Sequence, residues 1–162
     1  YQHHIDGLDR VKKLKNEKKA ISIKPNSKNH IDVVDRVNKI KKEKEFLKFR
    51  ELAQSYKNKA DTTSELTYYS KMIKIMPEAV EGYFLKSQLH INLNQFEDAI
   101  KDLNIAIEIS ENNEALYYLR GLAYEKLKQY DRAKNDYEKA IAIKPEYQHH
   151  IDGLDRVKNK IN

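Results

Sequence analysis

Two pairs of adjacent histidines are the residues of this chain best suited to metal chemistry: His3-His4 followed by Asp6, and His149-His150 followed by Asp152. Imidazole and carboxylate are ordinary ligands for zinc and its neighbours. Adjacent residues on a helix point to different sides, however, so one segment offers a partial ligand set and only two copies meeting would complete one. The expectation is no metal site, with these histidines on a solvated helix face. Catalysis of other kinds lacks its reagents. There is no Gly-rich phosphate loop, no H-E-x-x-H, no G-x-S-x-G, and no cysteine to act as a nucleophile. The chain is read as a non-enzyme that needs no cofactor.

Charge is the next resource. Residues 1–45 hold 13 Lys and Arg against 7 Asp and Glu, so the whole formal net charge of +6 lies there and the rest of the chain is neutral. A basic arm suits nucleic acid, an acidic membrane face or an acidic partner. Its lysines come with a single aromatic, Tyr1, whereas strand-binding surfaces interleave cations with stacking rings. The arm therefore reads as a solvated lysine-rich helix face, and nucleic acid is not the expected partner. No apolar run reaches membrane-spanning length, and the absence of cysteine matches a reducing compartment; the expected location is cytoplasmic. The chain lacks an initiating Met and opens in mid-pattern, as a fragment would.

The elements that must position any site repeat every 34 residues. From Glu114 the chain reads Tyr117, Gly121, Tyr124, Ala133, Tyr137, Ala140, Pro145. One period earlier it reads Tyr83, Ser87, His90, Ala99, Leu103, Ala106, Glu111, and one earlier again Phe49, Ala53, Tyr56, Glu65, Tyr69, Met72, Pro77. Apolar residues within each period recur at threes and fours, so each period holds two helices. Small residues such as Gly121 and Ala133 let the two backbones approach, and proline ends the second helix because it has no N–H to continue it. The spacing predicts helices at 46–58, 62–75, 79–92, 95–109, 114–127 and 130–143. The first period departs most. Glu65 replaces the alanine of the other two, and Thr62 with Glu65 fits a capping box.

This 34-residue pattern resembles the tetratricopeptide repeat, a helix–turn–helix unit that stacks into solenoids. The resemblance implies an all-α, right-handed α-solenoid of antiparallel helix pairs, with units at 46–79, 80–113 and 114–147, a C-terminal capping helix at 148–162, and a basic helical extension at 1–45.

A second repetition concerns the ends. Residues 1–12 (YQHHIDGLDRVK) are identical to residues 147–158, and a looser copy, His30-Ile31-Asp32-Val33-Val34-Asp35-Arg36-Val37, lies between. In the C-terminal copy Ile151, Leu154 and Val157 form an apolar stripe, which leaves His150, Asp152, Asp155, Arg156 and Lys158 to face water. No Gly or Pro interrupts residues 26–60, so residues 29–59 are expected to run as one long helix.

The resemblance also implies a concave groove lined by the first helix of each unit. Carried over unit by unit, its lining is Leu47, Arg50, Gln54 and Lys57, then Glu81, Phe84, Gln88 and Ile91, then Ala115, Tyr118, Leu122 and Glu125. The strip of Phe84, Ile91, Tyr118 and Leu122 suits an apolar or amphipathic ligand. Members of the family that grip carboxylate tails use a clamp of Lys, Asn, Asn, Lys and Arg. Here those positions hold Arg50, Gln54, Leu85, Ala115 and Leu119, which argues against that ligand. The expected function is a scaffold or adaptor that holds a partner's peptide or helix. The alternatives are self-assembly through the duplicated capping segment and tethering by the basic arm.

Overall fold

The structure, a computed structural model, describes residues 28–161. The N-terminal histidine pair and the copy at residues 1–12 lie outside the described residues. Among the described residues there are seven helices and no strand. They are α1 (Lys28–Asn58), α2 (Thr62–Ile75), α3 (Val80–Asn92), α4 (Phe96–Ile109), α5 (Glu114–Lys126), α6 (Tyr130–Ile143) and α7 (Gln148–Ile161). The long uninterrupted α1 follows from the absence of Gly and Pro, and it crosses the boundary between Glu45 and Phe46 at which the chain divides into two units.

Within the unit that starts at Phe46, helices pack in sequence order, and the first helices of successive pairs also touch, α3 with α5 and α5 with α7. That is an α-solenoid. The same turn closes each pair. The backbone N–H groups of Asp61, Gln95 and Gln129 donate to the carbonyls of Tyr56, His90 and Tyr124, at 3.0, 2.8 and 2.9 Å. Ala60, Asn94 and Lys128, again 34 residues apart, take φ of 57°, 58° and 60°. This left-handed conformation is costly for Ala and Lys, and sequence spacing did not announce it. The second helix of the first and third pairs ends just before Pro77 and Pro145.

One cap differs from expectation. Asp61, not Thr62, caps α2: its carboxylate accepts from the Ser64 N–H at 3.0 Å and from the Ser64 hydroxyl at 2.7 Å. The aspartate side chain sits one residue outside the helix, where the first amides point, so the capping-box reading was displaced by one residue. Glu65 is thereby released from capping and turns inward.

The core forms three clusters along the stack. Phe46, Ala53, Tyr69, Met72 and Leu89 make the first; Tyr83, Leu103, Ala106 and Leu116 the second; Ala133, Tyr137, Leu154 and Val157 the third. Two buried aspartates at equivalent positions are each held by a cation: Asp102 by Lys86 at 3.1 Å and Asp136 by Arg120 at 2.7 Å.

Candidate functional site

The groove positions do not form one continuous strip. Lys57, Gln88, Ile91 and Leu122 line a single cavity of about 520 Å³. It is built by the ends of α1, α3 and α5, with Thr62, Glu65 and Tyr69 of α2 as one wall. Leu85, Leu89, Leu93 and Leu119 complete an apolar lining. The leucines come from the first helices because a period of three to four turns one face of each helix toward the next pair. Glu65 and Tyr69 of the cavity wall are not among the groove positions read from the sequence. The signal was present, since Glu65 breaks the alanine pattern, but it reads equally as decay of the repeat.

The remaining groove positions, Leu47 apart, are already engaged within the chain. Arg50 pairs with Glu81 at 3.2 Å on the surface, and the Gln54 amide donates to the Asn58 side chain at 3.1 Å. Leu47 is exposed. Phe84 packs against the second core cluster, and Ala115 is half-buried where its N–H meets the Asn113 cap at 3.1 Å. Tyr118 lies against Tyr137 and His150, with ring centroids 5.8 and 5.3 Å away. Glu125 accepts from the Tyr137 hydroxyl at 2.6 Å and from Arg156 of α7 at 2.9 and 3.0 Å. Burial tends to raise the Glu125 pKa, but the Arg156 guanidinium and the Tyr137 hydroxyl outweigh it and hold the carboxyl below its ordinary range. Burial and the same hydrogen bond push the Tyr137 phenol up.

His150 corrects the sequence reading. It was placed on the watery face of α7 but is 3 % exposed, stacked on Tyr147 at 5.4 Å. The buried stripe of α7 is His150, Gly153, Leu154 and Val157: Leu154 and Val157 are buried as the hydropathy reads, Ile151 is half-buried, and the stripe extends to the His150 side. Gly153 permits the close approach: a Cβ there would meet the Tyr137 ring at 2.8 Å, so glycine lets α7 close on α6. Burial lowers the His150 pKa, partly offset by a hydrogen bond to the Lys144 backbone and by the charge of Glu114, and Nδ1 has no partner. His149 is exposed beside it. Among the described residues no group of three or more His, Cys, Asp or Glu is arranged to hold a metal, and no helix is long and apolar enough to cross a membrane.

Stacked helix pairs with a lined cavity across their first helices define a helical-repeat solenoid. Residues 115–147 match the tetratricopeptide repeat model, and residues 88–128 match a second TPR repeat model. Residues 88–147 are thus tetratricopeptide repeats. It is 32% identical over 89 residues to the human sperm-associated antigen 1, covering 55% of this chain and 9% of that protein. The chain thus spans less than a tenth of that relative. Among solved structures, the first TPR of Spaghetti bound to an HSP90 peptide, SRMEEVD, superposes with a TM-score of 0.69 at 20% identity, covering 73% of this chain and 94% of that one. The TPR2B domain of yeast Sti1, solved in a complex with pHsp70, gives 0.67 at 24% identity, covering 72% and 98%.

Proposed function

We propose that residues 46–162 act as a non-catalytic adaptor that holds a peptide or helix of a partner protein in the cavity across α1, α3 and α5. The observation that carries this reading is the cavity itself: half-buried leucines and an isoleucine of the second and third pairs line it beside Lys57, Thr62, Glu65 and Tyr69 of the first, and the space between them is left unfilled. Apolar side chains left so arranged are stabilised by a ligand that covers them. Solved relatives of the fold that were captured with HSP90 and Hsp70 partners support the class of ligand, while the uncharged Leu85, Ala115 and Leu119 argue for a different chemistry of recognition here.

The test is to pan a displayed library of random ten-residue peptides against residues 1–162. The affinity of enriched peptides is then measured by fluorescence anisotropy for the wild type and for Ile91→Ala with Leu122→Ala. The double variant is expected to lose at least tenfold in affinity with unchanged far-UV circular dichroism, because both side chains line the cavity and neither belongs to a core cluster. Peptides that bind both proteins equally well would remove the groove assignment.

A second reading is favoured by one observation. The residues that bury α7 are His150, Gly153, Leu154 and Val157, and the copy at residues 1–12 supplies His4, Gly7, Leu8 and Val11 at the same spacing. An N-terminal segment of one chain has the side chains to dock where α7 docks on another, giving a swapped dimer or an open chain.

A further inference from the structure

Three carboxylates are buried in the unit that starts at Phe46, and two of them have a cation. Asp102 holds Lys86 and Asp136 holds Arg120. Glu65 is the third, 4 % exposed, and its one hydrogen bond is with the Tyr69 hydroxyl, donated to Oε1 at 2.8 Å. No Lys, Arg or His among the described residues lies within 4 Å of it to form an ion pair. A carboxylate withdrawn from water is costly unless a positive group meets it. Glu65 stands where Ala99 and Ala133 stand in the other pairs, so the stack itself does not require an acid at this position. It faces the cavity, beside the leucines of α3 and α5.

The geometry points to a peptide ligand that presents a Lys or Arg side chain next to an apolar one, the cation meeting Glu65 and the apolar group lying on Leu85, Leu119 and Leu122. This rests on the groove reading above and names the partner chemistry of the same cavity. The arrangement reverses the sign of a carboxylate clamp. Leu85 and Leu119 supply no charge, the lining's cation, Lys57, stands at the exposed end of α1, and the buried Glu65 carboxylate on the wall would repel an acidic group set against it.

The same panned library tests it. Enriched peptides are expected to carry one Lys or Arg within about four residues of Leu, Ile or Phe, the reach of one helical turn or a short extended stretch. Replacing that Lys by norleucine should weaken binding to the wild type about tenfold, and binding to Glu65→Gln less than twofold, since glutamine keeps the shape and the bond to Tyr69 but not the charge. Thr62→Lys is the second variant. It lies one turn before Glu65 on the half-buried wall, and an internal ammonium there should abolish the preference in the same way if Glu65→Gln does not fold. Enriched peptides without a basic residue, or a lysine preference that persists in both variants, overturns the inference while leaving the groove reading intact. A library that yields no binder sensitive to Ile91 and Leu122 overturns both.

Discussion

At the scale of single residues, the Tyr137 ring is fully buried and closely approached by Gly121 of α5 and Gly153 of α7. A Cβ on Gly153 would meet the ring at 2.8 Å, and one on Gly121 at 3.0 Å with the Ala133 carbonyl at 3.3 Å behind it. The ring cannot retreat, because its hydroxyl is held by Glu125. Gly82 offers a contrast: a Cβ there meets the Cγ1 of Ile73 at 2.9 Å, and Ile73 is only half-buried, so its chain can turn aside. Gly153→Ala is therefore expected to cost about 1–3 kcal/mol and Gly82→Ala clearly less. Urea unfolding of the two variants checks this, and equal costs would mean the ring is free to move. The glycine at 121 was legible from its place in the 34-residue period. The one at 153 was not, since the period ends before it.

At the scale of elements, the docking of α7 depends on pH. Two of its contacts titrate. His150 has a pKa lowered by burial from an ordinary 6.5, so the undocked helix takes up a proton first and docking weakens as pH falls below about 6.5. Glu125 is held below its ordinary 4.5, so its contribution through Arg156 is complete above that value and is lost as pH falls through it and lower. The protection factors of the α7 amides, exchange rates corrected for the intrinsic slowing of exchange in acid, should thus fall in two stages on acidification. His150→Phe should flatten the upper stage, since phenylalanine keeps the stacking on Tyr147 without the proton. An unchanged upper stage would assign it to another group. The helices themselves were readable within about a residue from 3.6-residue periodicity and prolines. The left-handed turns at Ala60 and Lys128 were not, because neither residue type marks such a turn.

At the scale of the whole molecule, the duplicated capping segment and the cavity make opposite demands on association. Docking of residues 1–12 on a neighbour would build larger species, whereas an adaptor needs only its cavity free. Light scattering after size exclusion, over a concentration series, separates the two. If the N-terminal copy docks on a second chain, residues 1–162 should show a concentration-dependent mass that residues 28–162 lack. An identical monomer mass for both would remove the self-assembly reading.

The sequence by itself determined the repeat, the pairing of helices and the long uninterrupted first helix. It did so because a 34-residue spacing of small and aromatic residues repeats one packing solution, and each copy reports on the others. Tertiary structure decided which of the outward positions remain open. Tyr118 and Glu125 look like groove residues in the sequence yet are taken up by His150 and Arg156 of α7. His149 and His150 are chemically identical neighbours, and the packing of α7, close at Gly153 on Tyr137 and with His150 against Tyr118 and Tyr147, buries one and exposes the other. Glu65 reads as a flaw in the period until Asp61 takes the cap and leaves its carboxylate facing the cavity without a cation. The physical reason is the same in each case. Periodicity specifies the face a helix buries, whereas the partner of a given side chain is set by contacts between elements that local spacing does not encode.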